Sequence, residues 1–287
     1  MSELMGAGGK RIRPALVLLC AQLGRYDFER TAPGAVAVEL THAATLVHDD
    51  VIDRADTRRG IPTVSAQRGE PAAIVIGDFY FAKAYREASR TGSSQVVEIL
   101  AAAIMRVCHG ELQQQESRFH YRVTRDRYLR RIELKTGALI AAACRIGAVL
   151  GELDEGAQSS LNRYGRLLGL AFQVADDVLD YTGSADEVGK PVGKDLLEGH
   201  VTLPLMIALA QPGGEQIRAH LIEGVPVAPA ARLAVVAAVR ASGGPGLAIA
   251  QAREWAEEAK WELAPFGSNP AAAGLRGLAD YVVSRNL

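Results

Sequence analysis

Residues 40–53 read Leu-Thr-His-Ala-Ala-Thr-Leu-Val-His-Asp-Asp-Val-Ile-Asp, and the fold class turns on how this stretch is read. Leu40, Ala44, Val47 and Val51 recur at helical spacing and form one apolar stripe, so the segment is expected to enter a core as a helix. Asp49 and Asp53 then stand one turn apart, with Asp50 three residues before Asp53, so the three carboxylates share a face. Like charges crowded there repel one another and weaken an isolated helix. A solvated helix end would account for one such cluster. The pattern recurs, however, at Asp176, Asp177 and Asp180, below a second stripe of Leu161, Leu168, Phe172, Ala175 and Leu179. Two DDxxD copies in a chain with 33 acidic and 32 basic residues call for a chemical reason.

Outward from these helices the same texture continues. Apolar residues make up 48% of the 287, alanine is abundant, and strand-like alternation is absent. The breaks are short: Gly60 to Pro62, Gly69 to Pro71, Thr91 to Ser94, Gly183 to Gly199, Gln211 to Gly214, Gly243 to Gly246 and Gly267 to Pro270. None is long enough for an interdomain linker. The expectation is an all-α, single-domain bundle over residues 1–287, with roughly ten helices around a central cavity. A net charge of −1 supplies no basic field, which excludes nucleic acid as a partner. Cys20, Cys108 and Cys144 lack metal or redox spacing and read as buried free thiols of a reducing compartment. Gly137 to Gly151, the most apolar stretch, is too short to span a bilayer and is broken by Arg145. Met1 to Gly9 has no apolar signal core, so no transmembrane segment and a cytoplasmic location are expected.

Hard oxygen ligands without a Cys or imidazole cluster suit Mg²⁺, which commonly takes one or two carboxylates plus substrate phosphates. Two facing acidic clusters therefore suggest ions bridging the protein to a polyanion such as a diphosphate. Cations stand ready for the same ligand. Residues 8–14, GGKRIRP, carry Lys10, Arg11 and Arg13 beside a glycine pair. Arg58 and Arg59 follow the first cluster, Lys135 opens Lys-Thr-Gly, and Lys190 and Lys194 lie after the second. Arginine grips phosphate through two parallel N–H bonds, whereas lysine acts as a point charge. Each of these sites alone would pass as surface charge.

Taken together, the segments GGKRIRP, THAATLVHDDVIDRADTRRG, GDFYFAKA, ELKTGALIAAAC, LGLAFQVADDVLDYTG and GKPVGKDLLEGHVTLP resemble the trans-isoprenyl diphosphate synthase family, in family order from residue 8 to about 205. The resemblance implies a magnesium-dependent head-to-tail condensation of isopentenyl diphosphate with an allylic diphosphate. It implies that Asp49, Asp50, Asp53, Asp176, Asp177 and Asp180 hold Mg²⁺ against the allylic diphosphate. Arg58, Lys135 and Lys190 would touch that diphosphate, with Gln173 nearby, and Lys10, Arg11, His42 and Arg59 would hold isopentenyl diphosphate. His42 lies two helical turns before Asp49, which suits a shared cavity wall. His48 takes no such role and reads as structural. A homodimer is implied as well.

The family stops chain growth with a bulky aromatic about one turn before the first motif. Ala44 and Thr45 stand there and are small, so a product longer than C20 is expected, with a deeper floor near Leu40 and Ile76. Geranylgeranyl and farnesyl diphosphate are the shorter alternatives. Two departures stand out. Seven residues precede GGKRIRP where the family has a few dozen, so the domain is expected to be short at its N-terminus. His200 occupies the usual lysine position in EGHVTLP, which predicts a weaker or pH-dependent diphosphate contact. A class I terpene cyclase would show a mixed Asn/Ser/Glu second motif and more than 6% aromatic residues. A non-catalytic partner subunit would not need two complete metal motifs.

Overall fold

A computed structural model describes residues 10–58, 60–183 and 192–284. Eleven helices of eight residues or more are present among the described residues, and the extended structure there is one hairpin of two-residue strands, Thr57–Arg58 and Ile61–Pro62. The chain is all-α, as its periodicity predicts. It divides into two compact units, each built from three chain segments.

The first unit comprises Met1–Ile104, Leu139–Asn162 and Pro265–Gly274. It holds α1 (Ile12–Ala21), α2 (Phe28–Ile52), the short α3 (Val64–Arg68) and α4 (Glu70–Arg90). α2 starts where the Asp27 side chain accepts the Arg30 N–H at 3.3 Å, a conventional N-cap. Of its stripe, Leu40, Ala44 and Val47 are buried and Val51 is half-buried, and α4 packs along the helix. α1 lies against the end of α7 (Ala138–Leu150) and the turn that follows it, at a separation only glycine permits, since a Cβ on Gly151, the residue after α7, would stand 2.6 Å from the Ala21 carbonyl oxygen. Cys20 and Cys144 are buried here, as expected.

The second unit comprises Met105–Ala138, Arg163–Ala264 and Leu275–Leu287. It contains α6 (Arg125–Ile132) and a single turn of π-helix at Glu133–Gly137, together with most of α8 (Glu155–Thr182). Beyond these come α9 (Lys194–Leu197), α10 (Leu203–Ala210), α11 (Gly214–Arg218), α12 (Pro229–Ala241) and α13 (Gly244–Trp261). α5 (Ser94–Glu116) contributes its second half, and α14 (Pro270–Ser284) its later residues. Tyr121, Tyr181, Leu196, Val201, Leu205, Val235 and Val239 share one core. The Ser117–Thr124 break carries no Gly or Pro and was not foreseen; tertiary bonds hold it, Phe119 N–H donating to the Gly199 carbonyl at 2.9 Å and Arg118 Nε to the Glu198 carbonyl at 2.9 Å. Cys108 corrects the expectation of burial: it is exposed on α5, because its position falls on that helix's outer face.

No single described helix is long and apolar enough to cross a membrane, although the bent pair α12 and α13 meets the length and composition test jointly.

Candidate active site

The first aspartate motif lies at the end of α2. Asp50 is 4% exposed, whereas Asp49 and Asp53 stay half-buried. At about 100° per residue, Asp49 and Asp53 are some 40° apart around the helix and Asp50 is turned further inward. The chain then reverses. Arg54 takes a left-handed φ of 50°, the Ala55 N–H bonds the Asp50 carbonyl at 2.9 Å, and the two-residue hairpin folds back. Thr63 closes this loop by donating to the Ala55 carbonyl at 2.7 Å while accepting the Ala66 N–H. The reversal brings Arg58 Nε to 2.8 Å from Asp50 Oδ1. A buried carboxylate requires such a partner, and a bound diphosphate would compete for the same guanidinium.

At the N-terminal end of this unit, Lys10 is exposed and Arg11, with a left-handed φ of 46°, pairs with Glu39. His42 is half-buried on α2. Arg13, one of the three cations of GGKRIRP, was given no substrate role from the sequence. Its Nε is shut off from water with no hydrogen-bond partner, and burial pulls the guanidinium down to about 10 despite Glu39. An unsatisfied buried cation donor is a place for an anion. Two arginines separated only by Ile12 in one motif cannot be told apart from sequence alone.

The second motif, on α8, divides in the same way. Asp177 is 4% exposed, Asp176 is exposed and Asp180 half-buried. Tyr128 OH donates to Asp177 Oδ2 at 2.6 Å, Gln173 Nε2 donates to Oδ1 at 2.8 Å, and Thr136 Oγ1 donates to Gln173 Oε1 at 2.6 Å. Burial still pushes the Asp177 carboxyl up to about 7. Asp180 accepts the Lys194 N–H on Oδ1 and the Asp195 N–H on Oδ2, both at 3.0 Å, so it also anchors the start of α9. Tyr128, fully buried, carried no sequence signal: its role depends on α6 packing on α8.

Lys135 and Thr136 lie in the π-turn, where one extra residue redirects the side chains. Two close approaches hold the turn. A Cβ on Gly110 would stand 2.7 Å from the Lys135 nitrogen, and one on Gly169 2.6 Å from the Gly137 Cα. Lys135 pairs with Glu111. Arg59 and Lys190, both assigned to diphosphates from the sequence, lie outside the described residues.

His200 corrects its expectation. Its side chain is 8% exposed, and burial, with Arg131, Lys135, Arg118 and Lys194 around it, drives the imidazole down to about 3. It is neutral at working pH rather than partly charged.

Among the described residues no three His, Cys, Asp or Glu side chains are grouped to hold an ion unaided. The donors are nevertheless hard carboxylate oxygens, which fit a Mg²⁺ completed by substrate phosphate. An open recess of about 550 Å³ is lined by Val192, Leu233, Val236, Ala237, Arg240 and Ala241; it bears no carboxylate and is not this site.

Comparison with known proteins agrees with this chemistry. The family model described as polyprenyl synthetase matches residues 1–229. Heptaprenyl diphosphate synthase component 2 of Geobacillus stearothermophilus is 40% identical over 99% of this chain and 88% of its own length. Decaprenyl diphosphate synthase from Rhodobacter capsulatus superposes with a TM-score of 0.92 at 36% identity, covering 99% of this chain and 88% of that one. Polyprenyl synthase from Caulobacter crescentus, crystallised with calcium and isoprenyl diphosphate, gives 0.93 at 37%, covering 98% and 87%. Names among the relatives run from geranylgeranyl to decaprenyl synthase. By this match and these likenesses, the chain belongs to the polyprenyl synthetase family of prenyltransferases.

Proposed function

We propose that the chain catalyses Mg²⁺-dependent, head-to-tail condensation of isopentenyl diphosphate with an allylic diphosphate, giving an all-trans product longer than C20. The observation that carries the reading is the matching construction of the two DDxxD motifs. Each buries its middle aspartate against a fixed donor, Arg58 or Tyr128 with Gln173, and leaves its i, i+4 pair more accessible. Such preorganised carboxylates are what ions carrying a substrate diphosphate require.

Asp49, Asp50, Asp53, Asp176, Asp177 and Asp180 would hold Mg²⁺, which supplies the charge that stabilises a departing diphosphate. Arg58, Lys135 and Lys190, with Gln173, bind and orient the allylic diphosphate. Lys10, Arg11, Arg13, His42 and Arg59 hold isopentenyl diphosphate by direct charge–phosphate contacts. The allylic C–O bond breaks, with its electron pair leaving on the diphosphate. The alkene of isopentenyl diphosphate attacks the allylic cation, and the adjacent carbon loses a proton to the released diphosphate. With the six motif carboxylates assigned to metal, the released diphosphate is the proton acceptor in this reading.

A homodimer in the cytoplasm completes the reading. The free thiols Cys20 and Cys144 support the compartment. An apolar stripe on α5 supports the dimer, although the relative named as a component 2 makes a second, different subunit the alternative outcome.

The test is incubation of the purified chain with isopentenyl diphosphate, Mg²⁺ and each allylic primer, with chain-length analysis. Asp49→Asn and Asp176→Asn are each expected to lower turnover at least about a hundredfold, in line with loss of transition-state charge stabilisation. Near-normal rates in either at saturating Mg²⁺ would remove that motif from catalysis.

A further inference from the structure

His48 stands immediately before Asp49 on α2, and its imidazole fills a notch that the α4 helix opens at Gly77. A Cβ on Gly77 would lie 2.9 Å from His48 Cε1 and closer still to Nε2 and Cδ2, so any larger residue would expel the ring. The Ile74 carbonyl accepts a hydrogen bond from Nε2 at 3.0 Å, which assigns the proton to that nitrogen. Phe81 flanks the ring with centroids 5.7 Å apart, and Asp78 Oδ1 is 3.7 Å from Nε2. Val47, the preceding residue, is buried at 1% exposure.

We propose that His48 is a positioning residue for the first aspartate motif, locking the last turn of α2 to α4 through the Gly77 notch. The inference rests on the reading of Asp49, Asp50 and Asp53 as metal-holding residues. The last turn of α2 can rotate or slide only by lifting the imidazole out of the notch and breaking the bond to Ile74. With the ring seated, the carboxylates one and two residues later are held in a single orientation before any ligand arrives. Asp50 is then fixed from two sides, by Arg58 through its carboxylate and by His48 through its backbone. Removing a group that orients metal-holding side chains typically weakens metal binding by 10–100-fold. A group that merely fills space would instead lower thermal stability and scale every kinetic parameter together.

The test uses the full chain with His48→Ala, His48→Gln, Gly77→Ala and the double His48→Ala/Gly77→Ala. Mn²⁺ affinity in the presence of inorganic diphosphate is read by electron paramagnetic resonance, beside the Mg²⁺ dependence of turnover, the KM for isopentenyl diphosphate and Tm. His48→Ala and Gly77→Ala are each expected to weaken metal binding roughly tenfold with little change in that KM. His48→Gln, whose Nε2 can still donate to Ile74, is expected to recover to within about twofold, being the conservative donor. The double variant should be no worse than His48→Ala alone, because removing the ring makes room for the added methyl. A wild-type metal affinity in His48→Ala, or losses that add in the double variant, overturns the inference while leaving the proposed function intact. A wild-type chain without Mg²⁺-dependent transfer overturns that function and this inference with it.

Discussion

His200 illustrates what a single buried side chain can impose. Its folded imidazole titrates near 3, against an unfolded value near 6.5, so the folded state binds fewer protons as pH falls. Its contribution to stability is present above pH 6.5 and is lost progressively as pH drops toward 3. With one pKa unit equal to about 1.4 kcal/mol, the loss by pH 5 is about 2 kcal/mol. His200→Gln, neutral at every pH, should flatten that part of the Tm profile between pH 7 and 5; an unchanged slope would show that the imidazole is not buried neutral. The residue's place in the motif was legible in sequence. Its charge state was not, because Arg118, Arg131, Lys135 and Lys194 approach it from other elements. The same limit hid Tyr128, whose hydroxyl meets Asp177 across a 49-residue separation.

At the scale of elements, α2 carries both the first aspartate motif and the residues read as controlling product length. Ala44 is fully buried, whereas Thr45 is half-buried with its hydroxyl bonded to the His42 carbonyl at 2.9 Å. Ala44→Phe would force a ring into filled space, with an overpacking cost of about 1–3 kcal/mol. Thr45→Phe has more room. Both are expected to shorten the product; Thr45→Phe should do so with the smaller fall in Tm, as read by chain-length analysis beside calorimetry. Unchanged product length in both would remove this turn of α2 from the tunnel wall. The helix itself was readable from its apolar stripe. The π-turn at Glu133–Gly137 was not, since an extra residue per turn leaves no periodic signal over five positions and depends on Gly110 and Gly169 approaching from other helices.

At the scale of the whole molecule, α5 presents Met105 at 68% exposure and Leu112 at 63%, with exposed Cys108 between them at helical spacing. Apolar side chains aligned on one face mark an interaction surface better than scattered ones do. Leu112→Glu should convert the proposed dimer to a monomer in sedimentation measurements; a dimer that persists would place the interface elsewhere. An inactive monomeric wild-type chain would instead point to a different partner subunit. Sequence by itself determined the all-α class, the positions of both aspartate motifs and the family, because helical periodicity and motif spacing are local properties of the chain. Only the tertiary structure decided which aspartate of each motif is buried, that His200 is neutral, that Arg13 keeps an unsatisfied donor and that His48 sits in the Gly77 notch. Burial, pKa and close approach depend on what distant segments bring to a residue, and no spacing within one segment encodes that.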